Sequence, residues 1–311
     1  MIQAKTLLII GGTGFFAKSI IDYIHNCTFF SEINKIFLLS RSIKKNSIKK
    51  KLNNRIEIKT ISADISKLKK IPFADYIIYC AINHDYIEDH KSVCNYYKLA
   101  KKYHSKSKIL YTSSGAVYGQ QPKNIKKLSE NYLLNNKRIN FKSSNKNSYS
   151  LTKLKNERVF QKLSQLKINV SIARCFAFVG KYLPRNTSYA VGNFINSILN
   201  KKNIEIKSNH SVIRSYMHEY DLSRWLLEIV KNANTNCPIY NVGSDEQVDI
   251  RKLALYLSNK YKVGLKLEKI NSDFEDRYLP STLKAKKILN LKLSFDNYSS
   301  VSEVIQRTIK N

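Results

Sequence analysis

The sequence has few cysteines, few acidic residues and no long apolar run, and each shortage excludes a class of protein. The cysteines show no C-x-x-C spacing and are odd in number, at positions 27, 80, 94, 175 and 237. Neither a metal site nor a disulfide framework is therefore expected. No apolar run reaches membrane-spanning length, and the N-terminus lacks a small-residue cleavage site. We expect a cytoplasmic protein without a membrane partner.

The shortage of acidic residues leaves a large positive charge. Only 23 acids oppose 54 lysines and arginines, which gives a net charge of +31. Such a surplus is typical of nucleic-acid-binding proteins. However, arginine, the better bidentate ligand of phosphate and guanine, supplies only 11 of the cations, and lysine is spread over every segment. The charge indicates a compositional bias along the whole chain, and we expect no nucleic-acid partner. Nucleic-acid binding stays open as an alternative.

The 311 residues predict an α/β fold with a doubly wound parallel sheet. Six runs are predicted as strands, at 5–10, 35–40, 55–60, 75–81, 107–114 and 169–176. Most of them are nearly continuous in apolar or β-branched residues, as expected of parallel strands covered on both faces. Helical segments separate several of them, notably 14–25, 86–104 and 149–166. This alternation is typical of a Rossmann fold. The polar segment 120–147 is predicted as a long loop.

Past residue 176 the alternation loosens, which suggests a second, smaller α/β lobe. Asp249 is predicted to cap one of its helices. We predict a cofactor-binding Rossmann domain over 1–176, with 211–244 returning to it. The substrate-binding lobe is predicted over 177–210 and 245–311.

Three of the nine glycines lie in IIGGTGFFAKSI, residues 9–20, where a strand ends and a helix begins. This context is typical of a dinucleotide-binding turn, although a plain strand-to-helix turn is the alternative. Gly11 would form the tight turn, and Gly14 would let a pyrophosphate approach the helix N-terminus. Ala17 takes the third glycine position.

The end of the second strand, LLSRSIKK, bears on the choice of cofactor. An NAD site usually has an acid there for the ribose 2′-hydroxyl, whereas this chain has Ser40 and Arg41, followed by Lys44 and Lys45. Arginine can pair with a 2′-phosphate through its planar fork. NADP(H) is therefore favoured, with NAD(H) as the alternative. Asp64, after the third strand, is predicted to accept a hydrogen bond from the adenine amine.

The pair Tyr149 and Lys153 has the Tyr-x-x-x-Lys spacing that places two side chains on one helix face. Tyr97 with Lys101 and Tyr256 with Lys260 share that spacing, about as many pairs as chance gives in a chain rich in both residues. Only the neighbours distinguish the pairs. Before Tyr149 comes the predicted fifth strand, which ends in TSSGAVYG, residues 112–119.

The order of a glycine turn, TSSGAVYG and YSLTK resembles the extended short-chain dehydrogenase/reductase family, in particular its nucleotide-sugar epimerases and reductases. Further segments resemble later family motifs, in the same order: YCAIN, ARCFAFVGKYLP, RSYMHEYDLSR, YNVGS and YLPSTLKAKKILNL. The resemblance covers about residues 5–309.

The resemblance implies roles for individual residues. Tyr149 would be the catalytic acid/base, and Lys153 would favour its phenolate and hold the nicotinamide ribose. Ser114 would donate a hydrogen bond to the reacting oxygen, with Ser113 as the alternative. Besides Tyr149 and Lys153, the implied cofactor residues are Gly11, Thr13, Gly14, Phe15, Phe16, Ser40, Arg41, Asp64, Ile65 and Ala81. Implied substrate residues are Arg214, at a diphosphate, with Asn193 and Tyr278.

Some positions depart from the family pattern. Ala177 replaces an Asn, Lys181 replaces a Pro, and Tyr79 replaces the His of the fourth strand. Gly115 and Ala116 stand where the 4,6-dehydratases carry an Asp-Glu pair for water elimination. Because two small neutral residues cannot do that acid/base work, the sequence argues against a dehydratase.

The expected function is an NADPH-dependent reductase of a nucleotide-linked keto sugar, at C4 of an NDP-4-keto-6-deoxyhexose, with Tyr149 as proton donor. An NAD-dependent nucleotide-sugar 4-epimerase is the alternative enzyme. A non-catalytic NADP(H)-sensing protein is the alternative from another class. The resemblance also implies a homodimer, to which the helices at 86–104 and 149–166 would contribute.

Overall fold

A computed structural model describes residues 4–27, 30–43, 56–132, 144–185 and 189–310. Lys44, Lys45 and residues 133–143 of the predicted long loop lie outside the described residues. The chain divides into two compact units. The first contains residues 1–117, 142–175 and 223–240, and the second contains residues 118–141, 176–222 and 241–311.

A seven-stranded sheet forms the centre of the first unit. Its strands are Lys5–Ile10 (β1), Ile33–Ser40 (β2), Glu57–Ser62 (β3), Tyr76–Tyr79 (β4), Lys108–Ser114 (β5), Asn169–Cys175 (β6) and Ile239–Val242 (β11). The spatial order is β3-β2-β1-β4-β5-β6-β11, and the pairings among β1 to β6 are parallel. The predicted doubly wound α/β fold is confirmed. The strand order reverses between β1 and β4, which is where such sheets form a ligand crevice.

Continuous apolar sequence explains why the central strands lie inside the unit, whereas the edge strand β3 is partly exposed. Leu7 to Ile10 of β1 are fully buried, as expected of strands covered on both faces. The covering helices are Phe15–Asn26 (α1), Tyr86–Tyr103 (α2) and Ser144–Gln165 (α3). Asp85 caps α2, because its side chain accepts hydrogen bonds from the backbone N–H of Ile87 and Glu88.

Helix α3 begins at Ser144, five residues before the predicted start. The first turn, SNKN, has no apolar residue that could show the helical period in the sequence. The helix therefore extends the structured part of the chain back into the segment predicted as loop.

An aromatic cluster packs between strands β4 and β5 and helices α2 and α3. The Tyr111 and Phe160 rings stack with centroids 4.4 Å apart, and Tyr79 packs against Tyr96 at 5.2 Å. All four residues are at most 1% exposed. Tyr79, at the position where the family has His, is therefore part of the core cluster.

The second unit has its own apolar core of short helices and small sheets. Its remaining strands are Phe178–Val179 (β7), Ile204–Ile206 (β8), Ser211–Arg214 (β9), Met217–His218 (β10), Val248–Asp249 (β12), Leu265–Leu267 (β13) and Glu275–Arg277 (β14). The helices after α3 are Ala190–Leu199 (α4), Glu219–Lys231 (α5), Ile250–Tyr261 (α6), Leu283–Leu289 (α7) and Asn297–Lys310 (α8). As expected, the Asp249 side chain caps α6. One boundary between the units falls within α5, after Leu222, and another falls within β11, after Tyr240.

The units differ from the predicted domains at residue 176 and in the segments 118–141, 211–222 and 241–244, which belong to the second unit. The physical reason for the first segment is hydrogen bonding. The Leu128 N–H donates to the Leu279 carbonyl, and the Leu279 N–H donates to Gln121.

Within the described ranges, no helix combines the length and the apolar character that a membrane crossing requires.

The buried histidine of the first unit makes stability depend on pH. His104 is fully buried, and its Nε2 lies 2.9 Å from the carbonyl of Pro72 while Nδ1 lies 3.2 Å from the Tyr96 hydroxyl. The neutral ring satisfies both contacts by donating from Nε2 and accepting at Nδ1. Burial lowers the pKa of His104, although the bond to Pro72 opposes the shift.

The unfolded chain therefore binds this proton at a higher pH than the folded chain does. The free energy of unfolding should fall as the pH drops below the ordinary histidine pKa, about 6.5. Urea unfolding of the wild type and of His104→Gln, at about pH 8 and about pH 5.5, measures the effect. The wild type should lose more stability than the variant between these pH values. Equal losses would contradict the assignment.

Candidate active site

The glycine turn after β1 lies at the point where the strand order reverses. Gly11 has a φ of 104°, and its N–H donates to the Leu39 carbonyl. A Cβ at Gly11 would lie only 2.7 Å from the backbone nitrogen of Ala81. Only glycine combines this φ with so close an approach to the segment that follows β4. The turn therefore packs directly against the end of β4.

A cavity opens at this turn, along the carboxyl ends of β1, β2 and β4. Most of the predicted cofactor residues line it: Gly11, Thr13, Gly14, Ser40, Arg41, Asp64, Ile65 and Ala81. Phe15 and Phe16 begin α1 instead, with ring centroids 5.7 Å apart. Tyr149 and Lys153 also lie outside this lining, on α3.

The first turn of α1 suits an anion. Gly14 occupies the N-cap position, no side chain caps the helix there, and the first turn contains no acidic residue. Backbone N–H groups at such a terminus have no partner within the helix and attract phosphate oxygens. The residues present therefore fit the pyrophosphate of a dinucleotide.

The rim of the cavity combines polar and charged groups. The Thr13 and Ser40 hydroxyls are 3.0 Å apart, and Arg41 is exposed. Asp64 accepts two hydrogen bonds from Ser66 at Oδ1, and these bonds, with a smaller contribution from Arg41, lower the pKa of its carboxyl. An adenine amine would have to use the other carboxylate oxygen.

Ser114 and Ser113 end β5, but their hydroxyls have different surroundings. Ser114 Oγ accepts a hydrogen bond from the Ala116 N–H at 3.2 Å. Ser113 Oγ donates to Glu157 Oε1 at 2.6 Å, and both residues are buried. Because the Ser113 hydroxyl is committed to a buried carboxylate, Ser114 is the better candidate for a substrate contact.

Tyr149 and Lys153 lie on α3 beside the end of β5. The Lys153 ammonium is 6.0 Å from the Tyr149 ring centroid and 5.1 Å from that of Tyr111. It donates to the carbonyl of Thr112 at 3.3 Å, two residues before Ser114. The structure therefore brings Lys153 next to both Tyr149 and the strand that carries Ser114.

The Lys153 side chain remains charged although the residue is only 4% exposed. Burial by itself lowers the pKa of a lysine, but the neighbouring Tyr111, Tyr149 and Asp89 outweigh it, and the pKa of Lys153 lies above its ordinary value. Burial raises the pKa of Tyr111 to about 12, so this phenol stays neutral at working pH.

The other two Tyr-x-x-x-Lys pairs make similar local contacts elsewhere. Lys260 donates to the Tyr256 hydroxyl at 3.0 Å on the exposed face of α6, and Lys101 lies 5.6 Å from the Tyr97 ring. Contact within the pair is therefore a consequence of the helix, and only the placement beside β5 distinguishes Tyr149.

Asp89 is a cavity residue that sequence reasoning missed. It is 4% exposed, lines the cavity, and accepts hydrogen bonds from the Asn83 N–H at 2.8 Å and from Asn156 Nδ2 at 3.0 Å. It thus joins the segment after β4 to α3. An acid in the first turn of a helix resembles an ordinary dipole partner in the sequence, so no signal distinguished it.

The predicted substrate residues all belong to the second unit. Arg214 ends β9 and forms an ion pair with Asp276, with Nη2 and Oδ2 2.7 Å apart. Tyr278 is its neighbour, because its N–H donates to Ile213. The Tyr278 ring lies 4.6 Å from that of Phe176, and Asn193 lies on α4. A diphosphate at Arg214 would have to share the guanidinium with Asp276.

The tightness of the glycine turn yields a prediction. Gly11→Ala should lower the free energy of unfolding by about 1–3 kcal/mol, because it forces a side chain into a positive φ and against Ala81. It should also raise the dissociation constant of the dinucleotide, NADH or NADPH, at least roughly 10-fold, measured by fluorescence titration. Gly14→Ala is the matched control for folding, since a Cβ there lies 3.3 Å from the Gly11 carbonyl oxygen and φ is −77°. Wild-type affinity of Gly11→Ala for both dinucleotides would contradict a dinucleotide site at this turn.

Comparison with solved structures finds the same fold in proteins of low sequence identity. A dTDP-glucose 4,6-dehydratase from Bacillus anthracis, in complex with NAD, is 15% identical with a TM-score of 0.78, over 99% of this chain and 97% of that chain. A UDP-N-acetylglucosamine 4-epimerase from Methanobrevibacter ruminantium is 17% identical with a TM-score of 0.77, over 99% of both chains. A UDP-glucose 4-epimerase from Thermotoga maritima is 15% identical with a TM-score of 0.76, over 98% of this chain and 99% of that chain.

These identities establish the fold alone, and no curated protein matches the chain. The model of the NAD-dependent epimerase/dehydratase family matches residues 7–243, which is more than half of the sequence. The protein therefore belongs to the NAD-dependent epimerase/dehydratase family and is an enzyme of the extended short-chain dehydrogenase/reductase type.

Proposed function

We propose that the protein is an NADPH-dependent reductase of a nucleotide-linked keto sugar, with C4 of an NDP-4-keto-6-deoxyhexose as the reacting carbon. The observation that carries the proposal is the grouping of Ser114, Tyr149 and Lys153 at the carboxyl edge of the sheet that also bears the glycine turn. A hydroxyl, a phenol and an ammonium are the groups that carbonyl reduction requires.

Each of these side chains has a distinct task in the proposed reaction. Bound NADPH would supply the hydride to the keto carbon. The Tyr149 hydroxyl gives its proton to the carbonyl oxygen, so the ketone becomes an alcohol. Ser114 Oγ donates a hydrogen bond to that oxygen as its negative charge develops. The Lys153 ammonium stabilises the phenolate that remains on Tyr149.

The preference for NADPH rests on the end of β2. Ser40 and Arg41 line the cavity there, where an NAD site usually has a carboxylate. Arg41 is exposed at the rim and can pair with a 2′-phosphate. Asp64 lies after β3, and Ser66 engages one of its oxygens.

The residues that follow Ser114 argue against a dehydratase. Gly115 and Ala116 form the first part of a short 3₁₀ turn directly after β5. Neither has a group that could take or give a proton, so elimination of water has no acid/base pair at this position.

A nucleotide-sugar 4-epimerase is the second candidate, because one acid/base pair can serve hydride transfer in either direction. Solved 4-epimerases with the same fold support this alternative. A reductase consumes one NADPH per turnover, whereas an epimerase regenerates its cofactor. In both cases we propose that Arg214 contacts the diphosphate and that the net charge of +31 attracts the polyanionic substrate.

The choice between the two is tested with purified protein. Given dTDP-4-keto-6-deoxyglucose, a reductase oxidises NADPH in proportion to the sugar consumed. Interconversion of UDP-glucose and its C4 epimer without added NADPH would contradict the reductase and support the epimerase. No turnover of either sugar would count against both.

Removing the phenol hydroxyl should stop proton donation. Tyr149→Phe should reduce kcat by roughly 10²-fold or more, with the dissociation constant of NADPH unchanged. Tyr97→Phe is the matched control, because it removes the same hydroxyl from a Tyr-x-x-x-Lys pair on α2 and should keep wild-type kcat. A Tyr149→Phe enzyme with wild-type kcat would rule out Tyr149 as the proton donor.

Removing the rim arginine should reduce the preference for the phosphorylated cofactor. Arg41→Ala should raise KM for NADPH roughly 10-fold and leave KM for NADH nearly unchanged, because only NADPH has the 2′-phosphate. Ser42→Ala, at the next exposed position, serves as control. Equal effects on both cofactors would show that Arg41 does not contact the 2′-phosphate.

A further inference from the structure

The three residues of the proposed reaction lie on two different elements. Ser114 ends β5, whereas Tyr149 and Lys153 lie on α3. Proton transfer depends on distances set to within a fraction of an ångström, and a misplacement of 1 Å can cost roughly 100-fold in rate. Direct bonds between β5 and α3 therefore determine how well the site works.

Two such bonds bracket the end of β5. Lys153 donates to the carbonyl of Thr112 at 3.3 Å, and the Ser113 hydroxyl donates to Glu157 Oε1 at 2.6 Å. Glu157 follows Lys153 by four residues and Tyr149 by eight, so all three share one face of α3. Ser113 is the residue immediately before Ser114.

Glu157 is itself held in place from a third element. Arg174, on β6, reaches it through Nε to Oε1 at 3.0 Å and through Nη2 to Oε2 at 2.8 Å. The parallel register places Arg174 opposite Ser113. This bidentate ion pair fixes the plane of the carboxylate and therefore the direction of the hydrogen bond from Ser113.

The whole cluster lies out of solvent. Ser113, Glu157 and Arg174 are 3–4% exposed. In such surroundings water cannot replace a lost hydrogen bond, and the geometry of the remaining bonds is well defined.

We propose that Glu157 is a positioning residue. Its carboxylate is held by the ion pair with Arg174 and accepts the hydrogen bond from Ser113, and this contact sets the distance from Ser114 on β5 to Tyr149 on α3. The inference rests on the proposed function, because it concerns the same three reacting residues. It assigns Ser113 a role different from the one that the sequence left open, namely to hold the strand end rather than to contact substrate.

Ser113→Ala is the sharpest test, because it removes the bond to α3 and leaves the Glu157–Arg174 pair intact. We expect kcat for dTDP-4-keto-6-deoxyglucose to fall roughly 10-fold, with KM for NADPH unchanged. Ser113→Thr retains the hydroxyl and should keep most of the wild-type kcat. Ser171→Ala is the matched control, because Ser171 lies on β6, is fully buried, and its Oγ has no hydrogen-bond partner in the part of the chain that the structure describes.

If Ser113 had only a structural role, Ser113→Ala would lower stability without a specific fall of kcat at unchanged KM for NADPH. Thermal unfolding of each variant therefore accompanies the kinetics. If Ser113→Ala loses no more activity than Ser171→Ala, or if Ser113→Thr is as slow as Ser113→Ala, the positioning role is overturned.

A double-mutant cycle adds an independent check. Glu157→Gln keeps an oxygen for Ser113 but weakens the clamp by Arg174, and its effect on kcat should not add to that of Ser113→Ala because both act on one bond. Fully additive losses would overturn the proposal.

Failure of the proposed function can be distinguished from failure of the positioning role, because wild-type turnover would then not depend on Tyr149. If turnover of either test sugar does depend on Tyr149, the comparison of Ser113 and Ser171 variants decides the positioning role by itself.

Discussion

The buried ammonium of Lys153 is the constraint on which the rest of the site depends. A cation with 4% of its surface exposed must be satisfied by fixed groups, because water cannot reach it. Its donation to the Thr112 carbonyl ties α3 to β5, and its position beside the Tyr149 and Tyr111 rings aligns the face of the helix with the sheet edge. Burial raises the pKa of Tyr111 to about 12, so this neighbour contacts Lys153 as a neutral phenol.

Two groups of hydrogen-bonded polar side chains lie near this cation. On one side, Asn156 joins Asp89 and hence the segment after β4. One turn beyond Lys153, Glu157 joins Ser113 and Arg174. Breaking a buried ion pair by removing one partner usually costs about 3–5 kcal/mol, so these contacts are expected to keep α3 in one position. The helix is therefore held by directional bonds in addition to the apolar packing of Phe160.

Much of the fold was predictable from the sequence because it depends on local patterns. Continuous apolar runs marked the parallel strands, and the glycine cluster marked the turn at which Gly11 needs a positive φ. The start of α3 was missed because its first turn is wholly polar. The compact units differ from the predicted domains around residues 118–132, where long-range hydrogen bonds such as that between Gln121 and Leu279 join distant parts of the chain.

The candidate site could be predicted only where its residues stand in ordered motifs. Gly11, Arg41, Ser114 and Tyr149 stand in such motifs, whereas Asp89 gains its place in the cavity wall only through contacts across the fold. The pairing of Arg214 with Asp276 is likewise set by strand pairing between β9 and β14, which no local pattern announces.

In the proposed reaction, hydride passes from NADPH to a sugar carbon while Tyr149 supplies the proton. The direct measurement is isotope transfer to dTDP-4-keto-6-deoxyglucose from NADPH deuterated at C4 of the nicotinamide, with the label placed on one face of the ring and, in a second sample, on the other. We expect one of the two samples to give deuterium at C4 of the product sugar, in proportion to the NADP⁺ formed. A product whose sugar carries no deuterium from either face would contradict the proposed reaction.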